Sequence, residues 1–327
     1  MQVGIWGWIL FNTFILVMLA LDLGVFHRNA HEVRVREAAI WTGVWIALAL
    51  IFSGWVYTRA GPDVALQFLT GYVIEKSLSV DNVFVMVLIF SYFRVPPRYQ
   101  HRVLFWGVLG ALLMRGTFIG LGTYVLHQWH AVIYIFGALL LITGVRMAFK
   151  HEETPDLSRT PLLRLARRLI PVTHHYHGHH FLARQNGQLV ATPLLLVLLL
   201  VEGSDLIFAV DSIPAIFAIT EDAFVVYTSN VFAILGLRSM YFMLGDVVHR
   251  FAYLKYGLAV VLVFIGSKML TADLIHISTP ISLGVVATAI GTSILFSLKR
   301  AAQTSALDEA LADTAPTPER ERRVASL

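Results

Sequence analysis

Two stretches of sequence, EKSLSVDN at residues 75–82 and DLIFAVDSIP at residues 205–214, place carboxylates inside long apolar runs. Each stretch begins with an acidic residue and has an Asp six positions later, which follows a Val and precedes a small polar residue. An ionisable side chain is expensive to keep inside a membrane span, so its presence there indicates a functional site. Together with a Glu three residues before the second stretch, the candidate site acids are Glu75, Asp81, Glu202, Asp205 and Asp211.

The composition is that of a polytopic membrane protein with an all-α fold. Of the 327 residues, 57% are hydrophobic and only 14% are charged, whereas an average soluble domain is about 25% charged. The absence of Cys excludes disulfides and thiolate metal sites. The net charge of +4 gives no reason to expect a nucleic-acid partner. The first twenty residues lack the basic start and the cleavage site of a signal peptide, so we expect a retained first span.

Apolar runs of roughly 20 residues, the length that crosses a bilayer as helix, predict about nine transmembrane helices. The predicted spans are 3–26, 37–57, 64–92, 102–124, 131–149, 192–218, 223–246, 252–271 and 278–298. They form one transporter domain over residues 1–300, which includes a long loop at residues 150–191. Residues 301–327 mix Ala, Thr, Pro and both charge signs, and we expect this tail to be disordered.

Lys and Arg are concentrated in alternate loops. By the positive-inside rule the N-terminus lies outside and the C-terminus lies in the cytoplasm. In the long inner loop, residues 164–169 are typical of a short amphipathic helix at the lipid surface, and Asn186-Gly187 predicts a hairpin turn. The tract His174–His180 is either a cation-gathering segment or an ordinary solvated loop.

The acidic stretches belong to a longer repeat. Arg115 follows the first stretch in mid-span, and Arg238 follows the second. Next come Gly-Val-Arg-Met at residues 144–147 and Gly-Ser-Lys-Met at residues 266–269. Spans 3–5 therefore repeat as spans 6–8. Because the third and sixth spans cross in opposite directions, the predicted three-helix repeat is inverted, as in many secondary transporters.

Charge counting offers two solutions for the buried acids. Five carboxylates face three cations at depth, Lys76, Arg115 and Arg238, which leaves an excess of two negative charges (5 − 3). One divalent cation would neutralise it, and so would protonation of two acids. These are the two states of a proton–metal exchanger. The structural alternative is that the acids simply form ion pairs with Arg115 and Arg238.

Helix geometry separates the two acids of each stretch. Positions six apart lie about 120° apart around a helix and about 9 Å along it. Either the third and sixth spans are broken near Asp81 and Asp211, or the two acids of each stretch serve different places. Pro214 favours a break, because proline cannot donate to the carbonyl of Val210. The third span has no proline.

The supporting residues are of types that bind hard cations. Asn82 offers an amide, and Ser79 and Ser212 offer hydroxyls. With the carboxylates these are oxygen donors, which suit Mn²⁺, Mg²⁺ or Ca²⁺ rather than Zn²⁺ or Cu⁺. Met86 is interpreted as packing. Asp22 lies at the inner end of the first span, where it either lines an inner vestibule or is merely solvated.

Several phrases resemble the TerC family of integral membrane proteins, within its Alx branch. The matching segments are 21–26, 75–84, 205–215, 228–238 and 254–258, and the resemblance covers residues 3–298. It implies manganese export across the bacterial inner membrane, with the acids of the third and sixth spans as the metal site. It also implies an older association with tellurium resistance.

The sequence thus predicts export of a divalent cation by alternating access, with the metal and the bilayer as partners and no prosthetic group. We expect no enzymatic activity, since His-Glu-x-x-His and Gly-x-Ser-x-Gly motifs do not occur. The rival hypothesis is a membrane scaffold that helps to insert or metallate other proteins and transports nothing.

Overall fold

The structure, a computed structural model, describes residues 3–24, 35–129, 131–149, 160–173, 175–185, 187–245, 253–275 and 277–314. The fold is that of an all-α polytopic membrane protein. The helices are α1 (Ile5–Gly24), α2 (Val35–Ala60), α3 (Pro62–Tyr92), α4 (Pro97–Gln128), α5 (Val132–Phe149), α6 (Pro161–Leu169), α7 (Pro193–Phe217), α8 (Ala223–Leu235), α9 (Leu237–Leu244), α10 (Leu254–Leu270) and α11 (Thr279–Thr314).

Each of the nine predicted spans coincides with helix. Six helical segments of the described chain are long and apolar enough to cross a membrane: α2, α4, α5, α7, α8 with α9, and the first part of α11. Helix α1 adds a shorter apolar segment. The other two spans correspond to α3, which carries the charges of the first acidic stretch, and to α10, which has 17 residues.

Helix ends follow local chemistry. Prolines begin α3, α4 and α7, where the missing N–H would have had no intrahelical partner. The Asp222 side chain accepts hydrogen bonds from the backbone N–H groups of Phe224 and Val225, and so caps α8. The seventh predicted span consists of two consecutive helices, α8 and α9, which meet at Gly236 (φ −80°, ψ −3°).

Of the alternatives that helix geometry left open, a break in the third or sixth span does not occur. Helix α3 runs unbroken through its acidic stretch, and α7 runs unbroken to Phe217 although Pro214 lies inside it. Pro214 is in the last turn, where it removes a single backbone bond and where buried neighbours hold the helix. Helix α11 continues to Thr314, so the first part of the predicted disordered tail is helical. Its alanines favour helix, and residues 315–327 lie outside the described chain.

The long loop contains a compact segment. Helix α6 forms as predicted, and strands Leu182–Gln185 (β1) and Gln188–Ala191 (β2) pair antiparallel as a hairpin. Gly187 has φ +82° in the turn, which suits a residue without Cβ. The Tyr176 hydroxyl donates to the Phe93 carbonyl at 2.6 Å, and partial burial raises the pKa of this hydroxyl. The loop is thereby attached to the end of α3.

The helices pack in reciprocal pairs. Helix α3 packs on α8, α4 packs on α7, and α5 packs on α10. The last pair is very close, because a Cβ at Gly266 would lie 2.7 Å from the Gly137 carbonyl oxygen and one at Gly144 would lie 2.9 Å from that of Ala259. Such pairing is what a two-fold related repeat would produce; the repeat itself stays a prediction.

Apolar clusters lie on both sides of the central charges. One joins the last turns of α3 to the first halves of α4 and α7, and includes Phe90, Leu104 and Val197. The other joins the later halves of α4 and α7 to α8, and includes Ile119 and Phe217. The acidic stretches therefore lie between two clusters of buried apolar side chains.

Candidate metal-binding site

Arg115, in the middle of α4, is the centre of a buried charge network. The side chain is 1% exposed. Its Nη1 donates to Glu75 of α3. Its Nη2 and Nε donate to the two carboxylate oxygens of Asp205 of α7, at 2.9 and 3.3 Å. One guanidinium thus binds the first acid of both stretches, with a two-pronged contact to Asp205 that fits carboxylate geometry.

Neutral side chains complete this network. Arg115 Nη1 also lies 3.3 Å from Ser212 Oγ and 3.2 Å from the Asn230 Oδ1 acceptor. Asn230 in turn donates to Glu75 at 3.2 Å, and Asn82 donates to Asp205 at 3.3 Å. Helices α3, α4, α7 and α8 are therefore joined at one level. We name Glu75, Asn82, Arg115, Asp205, Ser212 and Asn230 the Arg115 network.

The network follows a spacing of seven residues. Asn82 comes seven positions after Glu75, and Ser212 comes seven after Asp205. Positions seven apart return to within about 20° of the same helix face. Each acidic stretch therefore gives one acid and one neutral polar group to the same face, whereas the second Asp, six positions on, faces elsewhere.

The second acids, Asp81 and Asp211, line a cavity of about 40 Å³ between α3, α5, α7 and α10. Both side chains are half-buried. Asp211 Oδ1 accepts a hydrogen bond from the Thr143 hydroxyl of α5 at 3.1 Å. The lining residues are Glu75, Leu78, Asp81, Asn82, Arg115, Met147, Phe208, Asp211, Ser212 and Leu262. We name this space the aspartate cavity.

Three buried oxygens in α3 have no hydrogen-bond partner among the described residues. They are Tyr72 Oη, Ser79 Oγ and Asn82 Oδ1. A buried polar atom without a partner costs about 1–3 kcal/mol, so each one requires an explanation. Asn82 lines the aspartate cavity, and its free oxygen is of the kind that a hard cation binds.

Glu202 lies apart from both groups. Its carboxylate lies directly over Gly110 of α4, where a Cβ would clash with it. It is one turn before Asp205 on α7. Of the five predicted acids, Glu75, Asp81 and Asp211 line the cavity, Asp205 belongs to the Arg115 network, and Glu202 is at the α4–α7 contact.

The remaining predicted cations lie at different levels. Lys76 Nζ donates to the Ala233 carbonyl at 3.4 Å and packs over Gly236 at the α8–α9 junction. Arg238 Nη1 is 3.3 Å from His101 Nδ1. Since His101 precedes Arg115 by fourteen residues, it lies about 21 Å along α4 from it. Arg238 therefore lies at a different depth from Arg115.

Two further predictions concern residues that lie partly outside the described chain. Asp22 is in the last turn of α1, and its side chain lies outside the described residues, as does His174. His177, His179 and His180 are exposed on the loop. Over the ranges that the structure describes, no three His, Cys, Asp or Glu side chains converge as a metal-holding group.

Sequence reasoning missed three residues. Asn230 completes the Arg115 network, Thr143 binds Asp211, and Met147 lines the aspartate cavity. A polar residue in the apolar helix α8 could have signalled Asn230. Thr and Met are common in membrane helices, so nothing in the sequence distinguished the other two.

Residues 60–305 match the family described as integral membrane protein TerC family. The chain belongs to this family. The match includes both acidic stretches, so the Arg115 network and the aspartate cavity lie inside the TerC region. The resemblance drawn from the sequence motifs is confirmed. No solved structure matches the chain.

Relatives of this TerC-family chain cover nearly its whole length. An uncharacterised membrane protein of Myxococcus xanthus is 54% identical over 93% of this chain and 96% of its own. A protein of Escherichia coli strain K12 named "Putative membrane-bound redox modulator Alx" is 53% identical over 86% of this chain and 90% of its own. An uncharacterised membrane protein of Rickettsia bellii is 39% identical over 90% and 97%.

Proposed function

We propose that this TerC-family protein exports a divalent metal cation, Mn²⁺ before Mg²⁺ or Ca²⁺, across a bacterial inner membrane by alternating access. The observation that carries the proposal is the aspartate cavity. Asp81 and Asp211, the equivalent acids of the two stretches, line the same small space. Asn82 adds an oxygen that has no hydrogen-bond partner in the described chain.

The charge around the cavity favours a cation. Four carboxylates, Glu75, Asp81, Asp205 and Asp211, lie near one guanidinium, that of Arg115. The formal sum is −3 (1 − 4). A divalent ion reduces the imbalance to one charge, and a proton on one carboxylate removes the remainder. Without the metal, two further protons would balance the site, so we include exchange of one divalent ion for two protons in the proposal.

The donor set fits the proposed cargo. Two carboxylates, an amide oxygen and neighbouring hydroxyls are hard ligands, the class that Mn²⁺, Mg²⁺ and Ca²⁺ prefer. A cavity of about 40 Å³ has room for an ion or about one water molecule. The ion would therefore enter largely dehydrated, with side-chain oxygens replacing its water.

Transport also requires access from each side in turn. The apolar cluster around Phe90 closes the predicted cytoplasmic side, and the one around Phe217 closes the predicted outer side. We propose that these two clusters open alternately. The reciprocal packing of α3 with α8 and of α4 with α7 supports such a rocking motion.

Mn²⁺ uptake into inside-out vesicles tests this function. We expect Asp81→Asn and Asp211→Asn to abolish uptake. Asp63→Asn is the matched control, since Asp63 is an exposed acid in the first turn of the same helix α3, and it should transport normally. If wild-type protein moves no Mn²⁺, and Asp81→Asn leaves cellular Mn²⁺ unchanged, the scaffold hypothesis replaces this one.

The direction of transport depends on the proposed orientation. Because the chain has no Cys, single cysteines can be labelled without background. Trp129 is 62% exposed at the predicted outer end of α4, and Leu189 is 59% exposed in the predicted cytoplasmic hairpin. In whole cells a membrane-impermeant maleimide should label Trp129→Cys and spare Leu189→Cys; the reverse pattern would invert the proposed direction.

A further inference from the structure

We propose that Met147 determines the metal specificity of the aspartate cavity, by adding a thioether that favours transition-metal cations over Mg²⁺ and Ca²⁺. The proposal rests on the proposed function, which it deepens, and names a residue that the acidic motifs do not include. Among the ten described residues that line the cavity, Met147 contributes the one sulfur atom.

The position of Met147 is fixed by its helix. It lies four residues after Thr143 on α5, so the two side chains share a face. Thr143 binds Asp211, which orients that face towards α7. Met147 is half-buried and packs against the apolar cluster of α5 and α10. The oxygen donors Asp81 and Asn82 line the same cavity.

Thioether chemistry separates metals that carboxylates treat alike. Thioether sulfur is a soft ligand, whereas carboxylates and carbonyls suit Mg²⁺, Ca²⁺ and Mn²⁺ alike. Mg²⁺ also loses its water reluctantly and usually keeps several molecules of it. In a cavity of about 40 Å³, which holds about one water, Mg²⁺ would have to give up water for a sulfur atom that binds it poorly. A softer divalent ion would lose less binding free energy when it exchanges water for the sulfur ligand.

The predicted repeat supplies a matched control. Met147 ends the Gly-Val-Arg-Met segment of the first repeat, and Met269 ends the corresponding Gly-Ser-Lys-Met segment of the second. It is 3% exposed, packs in the core next to Gly137, and does not line the aspartate cavity. Changing each methionine to leucine removes one sulfur atom at nearly constant volume. The two variants differ in whether that atom borders the cavity.

The experiment is uptake into proteoliposomes of Mn²⁺ alone, of Mn²⁺ against excess Mg²⁺, and of Cd²⁺ as a soft probe. We expect Met147→Leu to lower Cd²⁺ uptake about tenfold and Mn²⁺ uptake by less, while Mg²⁺ competes about tenfold more strongly against Mn²⁺, a change of one decade in relative affinity. Met147→Gln, which replaces sulfur with an oxygen donor, should shift competition further towards Mg²⁺ and Ca²⁺. Met269→Leu should match wild type.

Unchanged competition and unchanged Cd²⁺ uptake in Met147→Leu would overturn the specificity role while leaving transport intact. Failure of the proposed function looks different, since Asp81→Asn would then transport like wild type. Wild-type protein gives an independent check that needs no variant to fold. If Cd²⁺ fails to compete with Mn²⁺ for wild-type uptake, the thioether does not act on the cargo.

Discussion

The face of α3 that carries Glu75 and Asn82 differs in environment from the face that carries Asp81. On the first face Glu75 contacts Arg115 and Asn82 donates to Asp205, whereas Asn82 Oδ1 and Ser79 Oγ have no hydrogen-bond partner among the described residues. Both faces border the aspartate cavity, but Asp81 lies outside the Arg115 network. Helix α7 repeats this division with Asp205 and Ser212 on one face and Asp211 on the other. One short motif thus supplies both an internal ion network and a candidate binding site.

This division teaches that buried acids in one motif need not share a role. Glu75 and Asp205 are held by one guanidinium, which joins four helices at one level. Asp81 and Asp211 lie outside that network, and under the proposed function they bind the cargo. The comparison predicts that substitutions on the Arg115 face lower stability, whereas substitutions on the cavity face lower transport.

Arg115→Met should have the largest effect. It leaves Glu75 and Asp205 buried without their cation, and breaking a buried pair in this way costs about 3–5 kcal/mol. Thermal unfolding in detergent should show a large loss of stability. Arg59→Met, at an exposed position, is the control. Adding Glu75→Gln and Asp205→Asn to Arg115→Met should restore part of the stability, and failure to do so would argue against the network.

Asp81→Asn should abolish Mn²⁺ transport and leave the fold intact. The side chain is half-buried on the cavity, and the amide is nearly isosteric with the acid. We expect a thermal midpoint within about 3 °C of wild type, a shift that corresponds to about 1 kcal/mol. Glu75→Gln, by contrast, should clearly lower the thermal midpoint. Equal midpoints for both variants would erase the distinction between the two faces.

Asn230→Leu should have an intermediate effect on stability. It removes a donor to Glu75 and an acceptor for Arg115. Leaving buried groups short of a partner costs about 1–3 kcal/mol. Chemical or thermal denaturation measures the loss. Thr228→Val is the matched control, because that buried hydroxyl bonds carbonyl oxygens of its own helix α8.

Thr143→Val should have the smallest effect. It should change transport and leave stability unchanged. It removes the hydroxyl that donates to Asp211 at nearly constant shape. A hydrogen bond worth about 1 kcal/mol corresponds to about a fivefold rise in the KM for Mn²⁺. Thr117→Val, which removes an exposed hydroxyl of α4, should leave KM unchanged. A fall in stability instead of affinity would assign Thr143 to the Arg115 face.

Sequence reasoning reached much of this arrangement. Apolar length located the helices. The six-residue spacing was less informative, because α3 is unbroken and yet Glu75 and Asp81 line the same small cavity. The break that Pro214 favoured does not occur, since this residue is in the last turn of α7.

What the sequence could not supply is the relative level of neighbouring helices. Arg115 and Arg238 have similar settings in the chain, yet the break at Gly236 and the short α8 put Arg238 beside His101. Cavity neighbours from α5 depend on the close α5–α10 contact, which glycines at three separated positions permit. Such contacts arise from tertiary fit and have no local signature.

The order of synthesis gives the Arg115 network a further consequence. Asp205 follows Arg115 by 90 residues, which is roughly 5–18 s of translation at typical bacterial and eukaryotic rates. Of the Arg115 partners described above, Glu75 is made earlier, whereas Asp205, Ser212 and Asn230 are made later. During that interval Arg115 has Glu75 as its one carboxylate partner among those described, so the network that joins the four helices can form only after α7 and α8 have been made.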